Sequence, residues 1–132
     1  MNSFKHAYSQ LSGANVAVIG ASGFIGSHLV DSLLYNKCNV LALSRSVPGM
    51  ISKPARLNKN LQVKSVNIEN FSDLHSCLRN IDIVYHLVSS TTPKTSNLSP
   101  QLDVQANLVG SLNILESCRL QNVKKLVFIS LI

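Results

Sequence analysis

Three glycines set three residues apart, Gly20, Gly23 and Gly26, stand between an apolar run and an amphipathic segment. The run Val16-Ala17-Val18-Ile19 reads as a buried strand. Beyond the glycines, Phe24, Ile25, Leu29, Val30, Leu33 and Leu34 recur at helical spacing, which predicts an amphipathic helix of about 12 residues. A strand, a glycine turn and a helix in that order leave the backbone little choice. Gly20 permits a sharp turn out of the strand, Gly23 leaves the main chain bare, and Gly26 lets the helix lie close on the sheet. The free N–H groups and the positive dipole end of the first helical turn favour an anion at that point. The pattern therefore predicts a turn that cradles a pyrophosphate, as a dinucleotide site requires.

The rest of the chain supplies a sheet for that turn. NVLALS (39–44) reads as a second strand, and residues 46–60, with Pro48, Gly49 and Pro54, as a loop. LQVKSVNI (61–68) reads as a third strand, and Ser72 and Asp73 open a short helix to Arg79. IDIVYHLVS (81–89) is a fourth strand rich in β-branched residues, followed by turn and loop chemistry to residue 100. The longest helix spans 101–121, with Val104, Leu108, Leu112, Leu115 and Cys118 on one face. KKLVFIS (124–130) is a fifth strand. The order β-α-β-β-α-β-α-β, with near-continuous apolar strands, predicts an α/β fold: a doubly wound parallel sheet of about five strands covered by helices. Residues 1–13 form a polar lead-in and residues 14–132 one domain, with no linker to a second.

The glycine spacing is G-x-x-G-x-x-G, and GASGFIG resembles the turn of the extended short-chain dehydrogenase/reductase family, the nucleotide-sugar epimerases and dehydratases. IDIVYHLVSS resembles that family's fourth strand, and NLVGSLNILESCRLQNVKKLVFIS its next helix and fifth strand. The resemblance runs from about residue 15 to 130, with the segments in the family's order. It implies a Rossmann-like fold and the N-terminal part of a UDP-glucose 4-epimerase-like enzyme. By that resemblance Gly20, Ser22, Gly23, Phe24, Ile25 and Gly26 line the pyrophosphate, and Asn67 and Ile68 sit by the adenine. Leu87, Val88 and Ser89 would lie along the nicotinamide-side ribose, Asn107 would be a structural residue behind the site, and His86 matches a structural strand-end His.

NAD and NADP are distinguished at the end of the second strand, where an NAD site usually carries a carboxylate for the ribose hydroxyls. Here the strand ends Ala42-Leu43-Ser44-Arg45-Ser46, with no carboxylate. Ser44 can donate a hydrogen bond and Arg45 can pair with a 2′-phosphate, which favours NADP, whereas many epimerases of the family use NAD.

The family's chemistry calls for a Tyr with a Lys four residues on. The tyrosines are Tyr8, Tyr35 and Tyr85, and the positions four further on hold Ser12, Asn39 and Ser89. No catalytic residue is therefore assigned. Where relatives continue past VFIS with a second Ser and a Val-Tyr-Gly, this sequence reads Leu131-Ile132. The expectation is an incomplete domain, truncated after the fifth strand and lacking the substrate domain, that binds cofactor without turning over substrate. KLVFISLI would then be an apolar sheet edge, and poor solubility is expected. A non-catalytic NADP(H)-binding sensor or scaffold is the alternative. In the complete enzyme the partners would be a nucleotide sugar and, in a homodimer, a second subunit.

Composition narrows the remaining classes. The net charge is +6, but the cations are scattered rather than clustered with aromatics, so nucleic-acid binding is not expected. No acidic residue lies between Asp31 and Glu69, a segment holding six Lys or Arg residues, which suits an anionic ligand. No apolar run reaches the roughly 18 residues of a membrane span, and no secretory leader pattern opens the chain. A cytoplasmic protein is expected. Cys38, Cys77 and Cys118 are isolated and read as buried free thiols, and the histidines show no metal-ligand spacing.

Overall fold

The structure, a computed structural model, describes residues 10–47, 49–88 and 100–129. Five parallel strands form one sheet: β1 (Asn15–Ile19), β2 (Asn39–Ser44), β3 (Leu61–Ser65), β4 (Ile83–His86) and β5 (Lys125–Phe128), in the order β3-β2-β1-β4-β5. The strands alternate with α1 (Phe24–Tyr35), the single turn α2 (Lys53–Arg56), α3 (Phe71–Cys77) and α4 (Pro100–Leu120). This is the doubly wound α/β arrangement that the sequence predicts.

The central strand shows why both faces need cover. Val16 and Val18 point to one side and join Val30, Leu33 and Leu34 of α1. Ala17 and Ile19 point to the other and join Leu74 of α3 and Ile114 of α4. Period-two alternation on an all-apolar strand thus feeds two cores rather than one core and a wet face. In register, Val16 lies opposite Val40 of β2 and Ile83 of β4. At the starts of the strands, Asp82 accepts from the Asn15 amide at 2.9 Å and pairs with Lys124 at 3.6 Å.

Four local features differ from the sequence reading. Residues 46–60 are not all loop: Ser52 caps α2 by accepting from the Ala55 amide at 3.2 Å, and Pro54 is accommodated because it falls in that first turn. The third strand ends at Ser65 rather than Ile68. Helix α3 starts earlier than Ser72, because the Asn70 side chain accepts from the Asp73 amide at 3.2 Å and takes the cap position. Most instructive is α4. Val104, Leu108, Leu112 and Leu115 do share a face, but each is more than half exposed, and the buried side of the helix carries Gly110, Ile114, Ser117 and Cys118. Apart from Ile114 that side is built of small residues, which let α4 pack closely on α3 and on Ile68. Cys38 and Cys118 are buried and Cys77 half-buried, all as free thiols. Desolvation raises each thiol's pKa, that of Cys118 to about 11, which leaves them inert.

Candidate functional site

In an open α/β sheet, ligands sit beyond the carboxyl ends of the strands where the strand order reverses. Here that point lies between β1 and β4. A cleft of about 270 Å³ opens there, lined by residues that include Gly20, Ser22, Gly23, Ser44, Arg45 and Val88. A wider groove of about 420 Å³ lies near Lys59, Lys64 and Arg79. It sits at the opposite, amino end of the strands, away from the switch point.

The glycines fall into two kinds. Gly20 has φ +93°, and a Cβ there would lie 3.0 Å from the carbonyl carbon of Leu87. The turn out of β1 is thereby pressed against the exit of β4. A Cβ on Gly26 would lie 2.1 Å from the Gly20 oxygen, so the seating of α1 on the turn demands its absence. Gly23 is different. Its φ of −80° and ψ of 179° suit any residue, and a Cβ would meet only the Gly20 oxygen, at 3.6 Å. The fold does not require glycine at position 23. The bare backbone there opens onto the start of α1, where no side chain caps the helix. This is the surface an approaching pyrophosphate requires, so the turn fits the group that the sequence implies.

Ser22 and Ser44 are joined hydroxyl to hydroxyl, tying the glycine turn to the end of β2. One hydroxyl hydrogen of the pair remains to donate elsewhere. The Met50 amide bonds the Ser22 carbonyl at 3.0 Å, which lays the loop after β2 over the turn. Arg45 is exposed at the rim, its own carbonyl held by Ser65 Oγ at 3.0 Å. On the other bank, Asn67 folds its side chain onto the Glu69 amide at 3.1 Å and shapes the loop that presents Ile68.

Of the residues expected at the site, the cleft gathers Gly20, Ser22, Gly23, Ser44, Arg45, Ile68, Leu87 and Val88. Phe24 and Ile25 do not line it with side chains and do not enter the core either, being 67% and 52% exposed. They sit in the first turn of α1, beyond the carboxyl end of β1. Gly26 is buried beneath, Asn67 lies outside the lining, and Ser89 falls outside the described residues. The lining also includes Ile19, Val66, Glu69 and Ala106, which the sequence reading did not single out. Ala106 comes from α4, and no local motif announces that contact. Among the described residues no cluster of His, Cys, Asp or Glu could hold a metal ion, and no helix is long and apolar enough to cross a membrane.

Sheet order, switch-point cleft and glycine turn together define a Rossmann-like unit. The chain belongs to the NAD dependent epimerase/dehydratase family, whose family-wide pattern matches residues 16–130. It is 33% identical over 123 residues to a UDP-glucose 4-epimerase of Yersinia enterocolitica, covering 88% of this chain and 36% of that enzyme. Among solved structures, it resembles the UDP-glucose 4-epimerase of Thermus thermophilus in complex with NAD, with TM-score 0.73 and 34% identity, over 86% of this chain and 36% of that one. It also superposes on Pen from Bacillus thuringiensis with TM-score 0.82 and 28% identity, over 89% and 38% of the two chains. The chain thus spans little more than a third of the length of these relatives.

Proposed function

We propose that the chain binds a nicotinamide dinucleotide at the exits of β1, β2 and β4, as the cofactor-binding part of a nucleotide-sugar epimerase or dehydratase of the UDP-hexose 4-epimerase kind. The observation that carries this reading is Gly23, a glycine that the protein's own packing does not need, set over an uncapped helix start. In this reading Gly20, Ser22 and Gly23, with the amides of Phe24, Ile25 and Gly26, hold the pyrophosphate. Asn67 and Ile68 flank the adenine, and Leu87, Val88 and Ser89 flank the nicotinamide-side ribose. The nicotinamide, when bound, would accept a hydride from a sugar carbon and return it. These residues exclude water and orient the ring. The 132 residues contain no Tyr-x-x-x-Lys, so by themselves they bind without turnover.

At the adenine ribose the reading favours NADP. β2 ends without a carboxylate, Ser44 is buried beside Ser22, and Arg45 stands free at the rim to meet a 2′-phosphate. In the complete enzyme, the outward apolar face of α4 supports pairing of two subunits, which light scattering would register as a dimer.

Titration calorimetry with NADPH and NAD tests the reading. Saturable binding is expected, tighter for NADPH. Arg45→Asp should cost NADPH about tenfold or more, the value of one charge-assisted contact, and leave NAD equal or improved. Absence of heat with both cofactors contradicts the proposal, and indifference to Arg45→Asp contradicts the preference for NADP.

A further inference from the structure

One turn of α4 touches both banks of the cleft. On the adenine-side bank, Asn113 Nδ2 donates to the Ile68 carbonyl at 2.9 Å and to the Glu69 carbonyl at 3.1 Å. Gly110, buried one turn earlier, allows that approach: a Cβ there would lie 2.4 Å from Ile68 Cδ1. On the other bank, Ser111 Oγ lies 3.0 Å from His86 Nε2, and His86 Nδ1 accepts from the Val88 amide at 3.4 Å. With Nδ1 as acceptor, the neutral ring carries its proton on Nε2 and donates it to Ser111. The ring is 3% exposed and packs edge-on against Phe128, with centroids 5.1 Å apart, so it has no freedom to turn.

These contacts converge on main-chain atoms of residues 68, 69 and 88, all three of which line the cleft. Asn113, Ser111 and His86 do not line it themselves. Nor are they what seats the helix: Ile114, Ser117 and Cys118 are the side chains that α4 buries, Ile114 and Cys118 in the core that includes Ala17, Ile19 and Leu74. The polar groups of this turn instead reach past the core to the two strand exits.

We infer that the turn Gly110–Asn113 is a gauge that fixes the width of the cleft, Asn113 setting the adenine-side wall and the Ser111–His86 pair the nicotinamide-side wall. The three side chains are positioning residues. They hold backbone that a ligand would otherwise have to order on binding, which would weaken its affinity. The inference rests on the dinucleotide reading and extends it to residues outside the cleft.

The test separates the two walls by ligand size. AMP reaches only the adenine side, whereas NAD and NADPH span both. Calorimetry on the full chain is expected to show Asn113→Ala weakening AMP and both dinucleotides alike, by about tenfold, a typical loss for a removed pair of neutral hydrogen bonds. Ser111→Ala should leave AMP within about twofold and weaken the dinucleotides about fivefold, with Ser111→Thr restoring them. Ile114→Val controls for looser packing: it should lower the melting temperature without changing the ratio of AMP to dinucleotide affinity. If Ser111→Ala weakens AMP as much as the dinucleotides, as a general loosening would, or if neither substitution changes any affinity while the unsubstituted chain binds, the gauge is wrong. If the unsubstituted chain binds no dinucleotide, the cofactor reading falls and the gauge falls with it.

Discussion

Helices α1 and α4 both carry apolar stripes, and they use them in opposite ways. α1 turns Val30, Leu33 and Leu34 into the sheet, leaving Asp31, Ser32 and Tyr35 outside. α4 turns Gly110, Ile114, Ser117 and Cys118 inward and leaves Leu108, Leu112 and Leu115 outside, each more than half exposed. The difference lies in what each helix covers. α1 covers the side of the sheet where Val16, Val18 and Ala42 leave room for leucines. α4 packs on the other side against α3 and Ile68, where Gly110, Ser117 and Cys118 keep the contact close beside Ile114. A hydrophobic stripe therefore marks a face that water disfavours, whereas close packing on a neighbouring helix and loop selects the face with the least bulk.

The largest expected effect sets the stripes against each other. Leu33→Ala should destabilise the fold by about 2–5 kcal/mol in urea titration, the cost of a core cavity. Leu112→Ala should change stability by less than about 0.5 kcal/mol, as at an exposed site. Equal losses would mean that the outer stripe of α4 is covered.

Next come the two buried helix glycines. Gly26→Ala drives a Cβ into the Gly20 carbonyl, a backbone atom that cannot yield, and should cost about 1–3 kcal/mol. Gly110→Ala meets the end of the Ile68 side chain, which can rotate away. Offset by the better helix propensity of alanine, its net cost should stay under about 1 kcal/mol. Thermal melts of the two variants read the contrast directly, and a reversed ranking would show that α1 has room to lift off the turn.

A smaller effect is expected within α4. Ser117 is fully buried and its hydroxyl has no hydrogen-bond partner among the described residues. Ser117→Ala removes that orphan group and should raise stability by up to about 1 kcal/mol in the same titration. A loss instead would reveal a partner for the hydroxyl.

The smallest effect is the pH dependence of His86, whose burial depresses the imidazole pKa below its ordinary 6.5. The unfolded chain then takes up the proton first. The contribution of His86 is full above pH 6.5 and is lost as pH falls below it toward the depressed folded value. Its neighbours within bonding or stacking distance, Ser111, Val88 and Phe128, add no charge of their own. Stability should therefore slope downward on acidification, and His86→Asn should flatten that slope.

How much of this was legible in the sequence follows from where the information sits. The glycine turn and strand β1 are local, and residues 16–26 alone define them. Ser44 and Arg45 came from the end of the second strand, which an α/β order fixes once the strands are found, whereas Ile68 came from the family resemblance alone. The inner face of α4 was not legible, because it depends on how closely α4 packs on α3 and on the loop after β3, and no repeat within α4 encodes that distance. Ala106 and Glu69 were missed for the same reason: each reaches the cleft through tertiary placement rather than a motif. The caps at Ser52 and Asn70 had a visible signal, a polar side chain three residues before the amide it accepts from, which was masked at Ser52 by Pro54 two residues on.

The central claim is that Gly23 is kept bare for a ligand rather than for the fold, and one paired measurement tests it. Gly23→Val is compared with the unsubstituted chain, by thermal melting and by titration with NADPH and NAD. The expected result is a melting temperature nearly unchanged, with stability lowered by no more than about 1 kcal/mol at the cap position, together with loss of dinucleotide binding by more than about tenfold. A variant that melts much earlier, or one that melts normally and binds both dinucleotides as well as before, would contradict it.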